Sequence, residues 1–489
     1  MRNNSVSQVP AGAWRRVRVE KKKDEENSFS RWNALSILVA FSVLAVFLVS
    51  PSPSGISHEG WLMIGILLMA IILWITTPIP IAVTGFLIMV MQPVVGAAKA
   101  EEVFHSFGNQ AVFFLIGVFI IAGAVEKHGL HRRIALKFLG RFEKSPRAFT
   151  FGIMLASAFL SFIMPAHGVA ALLLPIVVSI LIAMKAIPRQ SNFGKVSMLA
   201  IAYGCSIGSL GTPIGGARNA LAIGILANEG IRISFLEWMK YSMPVVVMAI
   251  PAVWLILQVA FPIEVRDVSD ARREIEKQVG EMGSMKRDEW VVSAVLAITA
   301  ILWIFFSSPE YLGLGVVALL GSALLFFTGS ISWEDVEKRV PWGIILLYGG
   351  AITLGVGMNS TGAGSWIAGA MLNAAGNNIY LVILSLILFT VLLTNVMSNV
   401  GAVATLLPIA LGVASEFSGI SPLLAAMIVA LSGGFAFLLV ISTPANAITY
   451  SSGYFSTRDL LKAGGVVNVV CMAIIFAVAV IYWRGALGI

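Results

Sequence analysis

Two side chains able to carry positive charge stand in stretches otherwise made of aliphatic and small residues: Arg218 in Gly215-Gly-Ala-Arg-Asn219, and His167 in Pro165-Ala166-His167. An arginine near the middle of a membrane helix costs about 2.5–3.5 kcal/mol on insertion scales, so by default it marks a functional site. Its planar fork matches the oxygens of a carboxylate or sulfate, and it stays charged. The imidazole of His167 either holds a second charge or makes a neutral hydrogen bond. Hydroxyl and amide groups gather at two further points, Ser398-Asn399-Val400 and Ser442-Thr443-Pro444-Ala445-Asn446. These residue types suit reversible capture of a small anion. Bond-making chemistry is not indicated: the chain has no His-Glu-x-x-His, no serine nucleophile elbow and no Cys-x-x-Cys, and is not expected to be an enzyme.

The elements that hold these residues must be membrane helices. Of 489 residues, 58% are hydrophobic and 12% charged, against about 25% charged in a soluble domain. Apolar runs at 33–50, 61–77, 241–263, 289–306, 311–329 and 463–483 are each near the ~20 residues that cross a bilayer as a helix. Ten-residue alternating strands are absent, which excludes an outer-membrane barrel. The net charge of +8 does not indicate a nucleic-acid partner. Its Lys and Arg fall in blocks beside apolar segments: Arg15, Arg16, Arg18 and Lys21 to Lys23, then 127–148, then 264–288. Such blocks mark the cytoplasmic side of a multi-pass inner-membrane protein whose principal partner is lipid. A polar, basic stretch ahead of the first apolar run argues against a cleaved signal peptide. Trp61, Trp74, Trp303 and Trp483 near span ends read as interfacial anchors, and Glu126 and Lys127 as an ordinary ion-paired or snorkelling span end. Cys205 and Cys471 have neither metal spacing nor a disulfide framework.

The sequence repeats itself. Pro165–Pro175 aligns with Ser398–Pro408 at an offset of 233 residues (398 − 165), and Gly215–Asn219 with Ser442–Asn446 at 227 (446 − 219). Upstream, Gly117 answers the Gly349-Gly350 pair. Segment 127–148 holds seven Lys or Arg, whereas its counterpart near 359–378 holds none. Equivalent loops therefore face opposite sides, the mark of an inverted-topology repeat.

This gives an all-α polytopic transporter with about 11 spans, two re-entrant hairpins and two broken helices. A tail (1–32) and first helix (33–60) precede the first repeat, 61–263, with its hairpin at 149–188 and broken helix at 196–228. A solvated linker (264–288) leads to the second repeat, 289–483, with its hairpin at 379–415 and broken helix at 422–453; residues 484–489 form a tail. Breaks inside a membrane expose N–H and C=O groups that lipid cannot satisfy, so they survive only in protein or along a polar cavity. Half-helix N-termini attract anions and freed carbonyls bind cations, so the four interruptions converge on one central anion site.

At the hairpin tip, Ser398-Asn399 followed by a small-residue run and Leu-Leu-Pro408 resembles the Ser-Asn-Thr motif of the divalent anion/sodium symporter family. Thr443-Pro444-Ala445-Asn446 resembles that family's Thr-Pro-Pro-Asn element, and the likeness runs from about residue 60 to 483. The resemblance implies an elevator-type homodimer that carries dicarboxylates, citrate or sulfate with sodium. It places one sodium ion at Ser398, Asn399 and carbonyls near Ser442, and the substrate against Asn399, Val400 and Thr443. No covalent cofactor is implied.

The first half departs from the pattern. Pro165-Ala166-His167 stands for Ser-Asn-Thr, and Gly216-Ala217-Arg218-Asn219 for Thr-Pro-Pro-Asn. Hydroxyls and an amide are gone and two basic side chains have arrived, so the first sodium site is expected to be degraded. Arg218, with a protonated His167, is expected to supply the missing countercharge, giving sodium-reduced, exchange or proton-linked transport. The plainer alternative is that Arg218 only ties down broken-helix carbonyls. A cation/proton antiporter is the rival function, but it needs midplane carboxylates. Segments 149–225 and 379–450 contain only Glu416, read as a loop residue.

Overall fold

The computed structural model describes residues 31–306, 312–375 and 378–489. The basic tail residues Arg15 to Lys23 lie outside them. Every regular element among the described residues is a helix. Ten helices are long and apolar enough to cross a membrane. They include three limbs of the two hairpins, while Ile81–Val94 and Leu314–Phe327, at 14 residues each, fall short. The two broken helices, each divided into shorter pieces, are also outside the ten, so losing four of the eleven expected spans and gaining three hairpin limbs gives ten.

The repeat is visible in how helices pack. Gln110–Lys127 of the first half lies on Leu314–Phe327 of the second, and Trp342–Ser360 of the second lies on Ile81–Val94 of the first. Glycine makes both crossings close. A Cβ on Gly117 would stand 2.6 Å from the carbonyl carbon of Ala318, and one on Gly350 would meet the backbone of Gly85. Residues 117 and 350, and 85 and 318, are related by the offset of the repeat. Small residues at such crossings let helix backbones approach where lipid supplies no hydrophobic drive. Gly350→Val is therefore expected to abolish a monodisperse folded peak in detergent, since overpacking a tight contact costs about 1–3 kcal/mol or more. Gly465→Ala, where nothing lies within 4 Å, should leave the melting temperature unchanged or raise it.

The two matching helices run antiparallel. At the C-terminal end of Gln110–Lys127, Lys127 pairs with Asp335 at 2.8 Å and Glu126 with Arg339 at 3.2 Å, just before Trp342–Ser360 begins. Lys127 and the Ser332 cap hold the Asp335 carboxyl below its usual range. At the opposite end, Asn109 caps the first helix and bonds Asn228 at 2.8 Å, while Asn359 near the end of the second helix bonds Glu229 at 2.6 Å. Both helices thus meet one end of Ala217–Asn228 from opposite termini.

Three sequence expectations need correction. Trp74, Trp303 and Trp483 are 1%, 1% and 0% exposed, so they are packing residues and not interfacial anchors. Their protein partners explain this for two of them: Trp303 donates to the Leu314 carbonyl and Trp483 to that of Tyr241. Trp61 is half-buried, bonds Ser50 and packs on Phe47 and Trp366. The linker is not merely solvated, because Ser269–Met282 is a helix with Ala271, Ile275 and Gln278 buried. Glu416 closes the helix Asn399–Glu416 and does not sit in a loop.

Candidate functional site

Each hairpin consists of two helices meeting at a short tip. Pro146–Leu160 and Ala166–Ala183 join through 161–165, with Pro165 and Ala166 at the start of the second limb. Ile379–Val396 and Asn399–Glu416 join through Met397 and Ser398. A Ser398 hydroxyl that accepts from the Gly401 N–H caps the latter limb at 3.1 Å, whereas Pro165 offers no side-chain cap.

Both broken helices are interrupted as expected, and in the same way. Asn192–Gly208 stops and Ala217–Asn228 resumes; Pro422–Ser432 stops and Pro444–Tyr450 resumes after a single turn at Val440–Ser442. One asparagine stitches each gap. The Asn219 amide donates to the carbonyls of Ser209 (2.7 Å) and Thr212 (2.8 Å), ten and seven residues back. Asn446 donates to those of Ala436 and Leu439, both at 3.0 Å and again ten and seven back. The freed carbonyls are satisfied by side chains, as apolar surroundings require. In both asparagines the amide oxygen is buried without a hydrogen-bond partner.

Arg218 lies between the two gaps, 5% exposed. Its Nη2 donates to the Ser209 hydroxyl at 2.8 Å, while Nε has no partner. A Cβ on Gly434, in the second gap, would stand 2.7 Å from Nη2, and one on Gly216 2.9 Å from Nη1. Among the described residues no carboxylate pairs with it. A buried cation without a counter-ion is costly, and truncating such a charge or its partner changes energies by several kcal/mol.

The second tip carries a connected set of hard oxygens. Thr394 Oγ1, with one proton to donate, lies within hydrogen-bond reach of two acceptors, the Gly433 carbonyl (2.7 Å) and Asn399 Oδ1 (3.0 Å). Asn395 donates to the Phe435 carbonyl and accepts from the Leu438 N–H, and Ser442 Oγ donates to the Asn395 carbonyl at 2.7 Å. Thr443 Oγ1 accepts from the Asn446 N–H at 3.1 Å. Hydroxyls, amide oxygens and freed carbonyls are the ligand types a small hard cation requires, and Ser398, Asn399 and Ser442 carry side-chain oxygens of that kind. In the first half Phe162 stands where Asn395 stands, and Pro165 and Ala166 lack side-chain oxygens. That half therefore offers fewer side-chain oxygens at the equivalent positions.

Thr394 and Asn395 escaped the sequence reading. Their signal was available, as two adjacent polar residues ending the apolar run 379–393.

A cavity of about 800 Å³ opens at the end bearing Glu126, Arg132 and Arg339. Its wall includes Pro165, His167 and Gly168 of the first tip and Ile448 of the second broken helix. Arg218, Asn219, Ser398, Asn399, Val400, Thr443, Pro444 and Asn446 are not among its lining residues. The structure therefore brings Arg218 to both gaps but does not place it beside His167.

Comparison with known proteins agrees with this architecture. Two solved transporters share the fold at low identity. MtrF of Neisseria gonorrhoeae has a TM-score of 0.55 and 13% identity, covering 93% of this chain and 96% of that one. YdaH of Alcanivorax borkumensis has a TM-score of 0.52 and 12% identity, covering 78% and 88%. The sodium-dependent dicarboxylate transporter SdcS of Staphylococcus saprophyticus is 29% identical over 486 residues, spanning 94% of this chain and 93% of that protein. SdcS of Staphylococcus aureus strain USA300 is 29% identical over 493 residues, spanning 96% and 94%. Residues 30–489 match the family profile described as the sodium:sulfate symporter transmembrane region. The chain is accordingly a membrane transporter and not an enzyme, and it belongs to the sodium:sulfate symporter family, the divalent anion/sodium symporters.

Proposed function

We propose that this chain is a secondary carrier of small divalent anions, a dicarboxylate, citrate or sulfate, working by elevator-type alternating access. The observation that carries the reading is Arg218: a buried guanidinium with an unpaired N–H and no protein carboxylate, held where both broken helices open. A transported anion supplies the missing negative charge. In the proposed arrangement the substrate meets Asn399, Val400 and Thr443, with Arg218, Asn219, Pro444 and Asn446 shaping the surrounding field. Sodium binds at Ser398, Asn399 and Ser442. The fixed charge of Arg218, with His167 at the other tip, reduces reliance on a second sodium ion and favours exchange or proton linkage. The protein resides in the inner membrane as a homodimer with its N-terminus in the cytoplasm, so the 800 Å³ cavity faces inward. The domain limits given above, 61–263 and 289–483, are the two inverted repeats of this proposal.

The decisive measurement is counterflow in proteoliposomes with labelled sulfate, succinate and citrate, each with and without sodium. At least one dianion is expected to exchange, with incomplete dependence on sodium. Failure of all three would reject the anion reading. Proton linkage has its own check: uptake from pH 5 to 8 should change shape in His167→Asn, and coincident profiles would remove His167 from the coupling scheme. The antiporter rival receives no support, since no Asp or Glu lies in 149–225 and only helix-terminal Glu416 in 379–450.

A further inference from the structure

The linker helix Ser269–Met282 lies across the first hairpin, against the limb Ala166–Ala183 and the helix Leu130–Leu139. Its hold on these neighbours is unequal. Gln278 Nε2 donates to Ser179 Oγ of the hairpin limb at 2.6 Å, and this is a single bond between neutral groups. On the other side Arg133, 7% exposed, grips the linker's exit. Its Nε and Nη2 fork onto Glu289, at 2.9 and 3.2 Å, and Nη1 and Nη2 donate to the carbonyls of Met282, Gly283 and Ser284. Near the helix start, Arg272 pairs at 3.4 Å with Glu143, in the connection between Leu130–Leu139 and the hairpin's first limb. The chain turns at Gly283 with φ of +63°, a conformation glycine adopts without penalty. Charge-assisted, bidentate bonds are about twice as strong as neutral ones. If the hairpin moves relative to Arg133, the Gln278–Ser179 contact yields first.

We propose that the linker helix is a fixed strap past which the first hairpin slides. In this inference, which rests on the alternating-access reading above, Gln278–Ser179 forms in the present conformation and breaks in the other. Both residues line the cavity, together with Glu274 and Glu281 of the same helix. The strap is thus one wall of the route to the tip, and the hairpin's travel changes the width of that route.

Full-length protein in proteoliposomes tests this with two cysteine pairs, because the native Cys205 and Cys471 are buried. Bridging Ser179→Cys/Gln278→Cys with a short bis-maleimide is expected to cut counterflow of labelled succinate or sulfate more than tenfold relative to the unbridged variant. Bridging Glu143→Cys/Arg272→Cys should leave it within twofold. The reverse pattern means that the strap travels with the hairpin, and arrest by both bridges means that it is fixed to neither; each overturns the proposal. Free counterflow with both bridges removes hairpin sliding altogether, and the alternating-access reading with it. Spin labels at 179 and 278 give a readout independent of substrate. Two distance populations are expected there and one at 143 and 272; a single short distance at 179 and 278 rejects the strap even if neither anion is carried.

Discussion

Arg218→Ala is expected to lower uptake at limiting substrate by at least about 30-fold. Removing one member of a buried, hydrogen-bonded charge pair costs about 2–5 kcal/mol, and each 1.4 kcal/mol is roughly a factor of ten. In the proposed function the partner is the transported anion, since no carboxylate among the described residues pairs with Arg218. Arg218→Lys keeps the charge but loses the planar fork, so it should fall between wild type and alanine. A purely structural brace would behave differently: the alanine variant would melt earlier, with Ser209 left without its donor, yet the surviving folded protein would keep its affinity. Uptake by initial rate and melting temperature in detergent, measured on the same preparation, separate the two. Unchanged uptake and affinity in Arg218→Ala would sink the countercharge reading.

The second large effect belongs to stability. Arg133→Ala is expected to destabilise the folded protein by about 3–5 kcal/mol, because it strands Glu289 as a buried, unpaired carboxylate. Glu289 is 6% exposed and takes two of the five hydrogen bonds made by Arg133. Glu289→Ala should cost a similar amount, by stranding the guanidinium. Replacing both with apolar residues of similar size should recover much of the loss, since an absent buried pair is cheaper than half of one. Thermal unfolding of the three variants checks this. A double variant no better than the singles would show that the bonds from Arg133 to the carbonyls of 282–284 dominate.

Much was legible in the sequence because a membrane constrains a chain severely. Lipid demands long apolar helices and forbids free backbone groups, so Gly, Pro and small polar residues inside 149–228 and 379–453 could only mark interruptions. The repeat in those positions fixed where the interruptions pair, and Asn219 and Asn446 then closed equivalent gaps with equivalent bonds. Charge told which loops oppose one another, and the antiparallel meeting of Gln110–Lys127 with Trp342–Ser360 has that sense.

What sequence left open was contact between distant segments. Three tryptophans near span ends fit interfacial anchoring and burial equally well, because an indole suits either setting; Trp303 and Trp483 are buried with carbonyl partners supplied by other helices. Arg218 and His167 each announced themselves by being polar in apolar text, but residue type carries no direction. Only packing set the guanidinium between the two gaps, against Ser209 and Gly434, and placed the first tip's imidazole on the wall of a cavity that Arg218 does not line. The linker read as solvated because 264–288 is rich in charge; the face of Ala271, Ile275 and Gln278 found its partner in another part of the chain. Local sequence thus determined which segments break and which cross, since the solvent acts on each residue separately. The pairing of charges and the seating of side chains needed the folded whole, because both depend on neighbours far away in the chain.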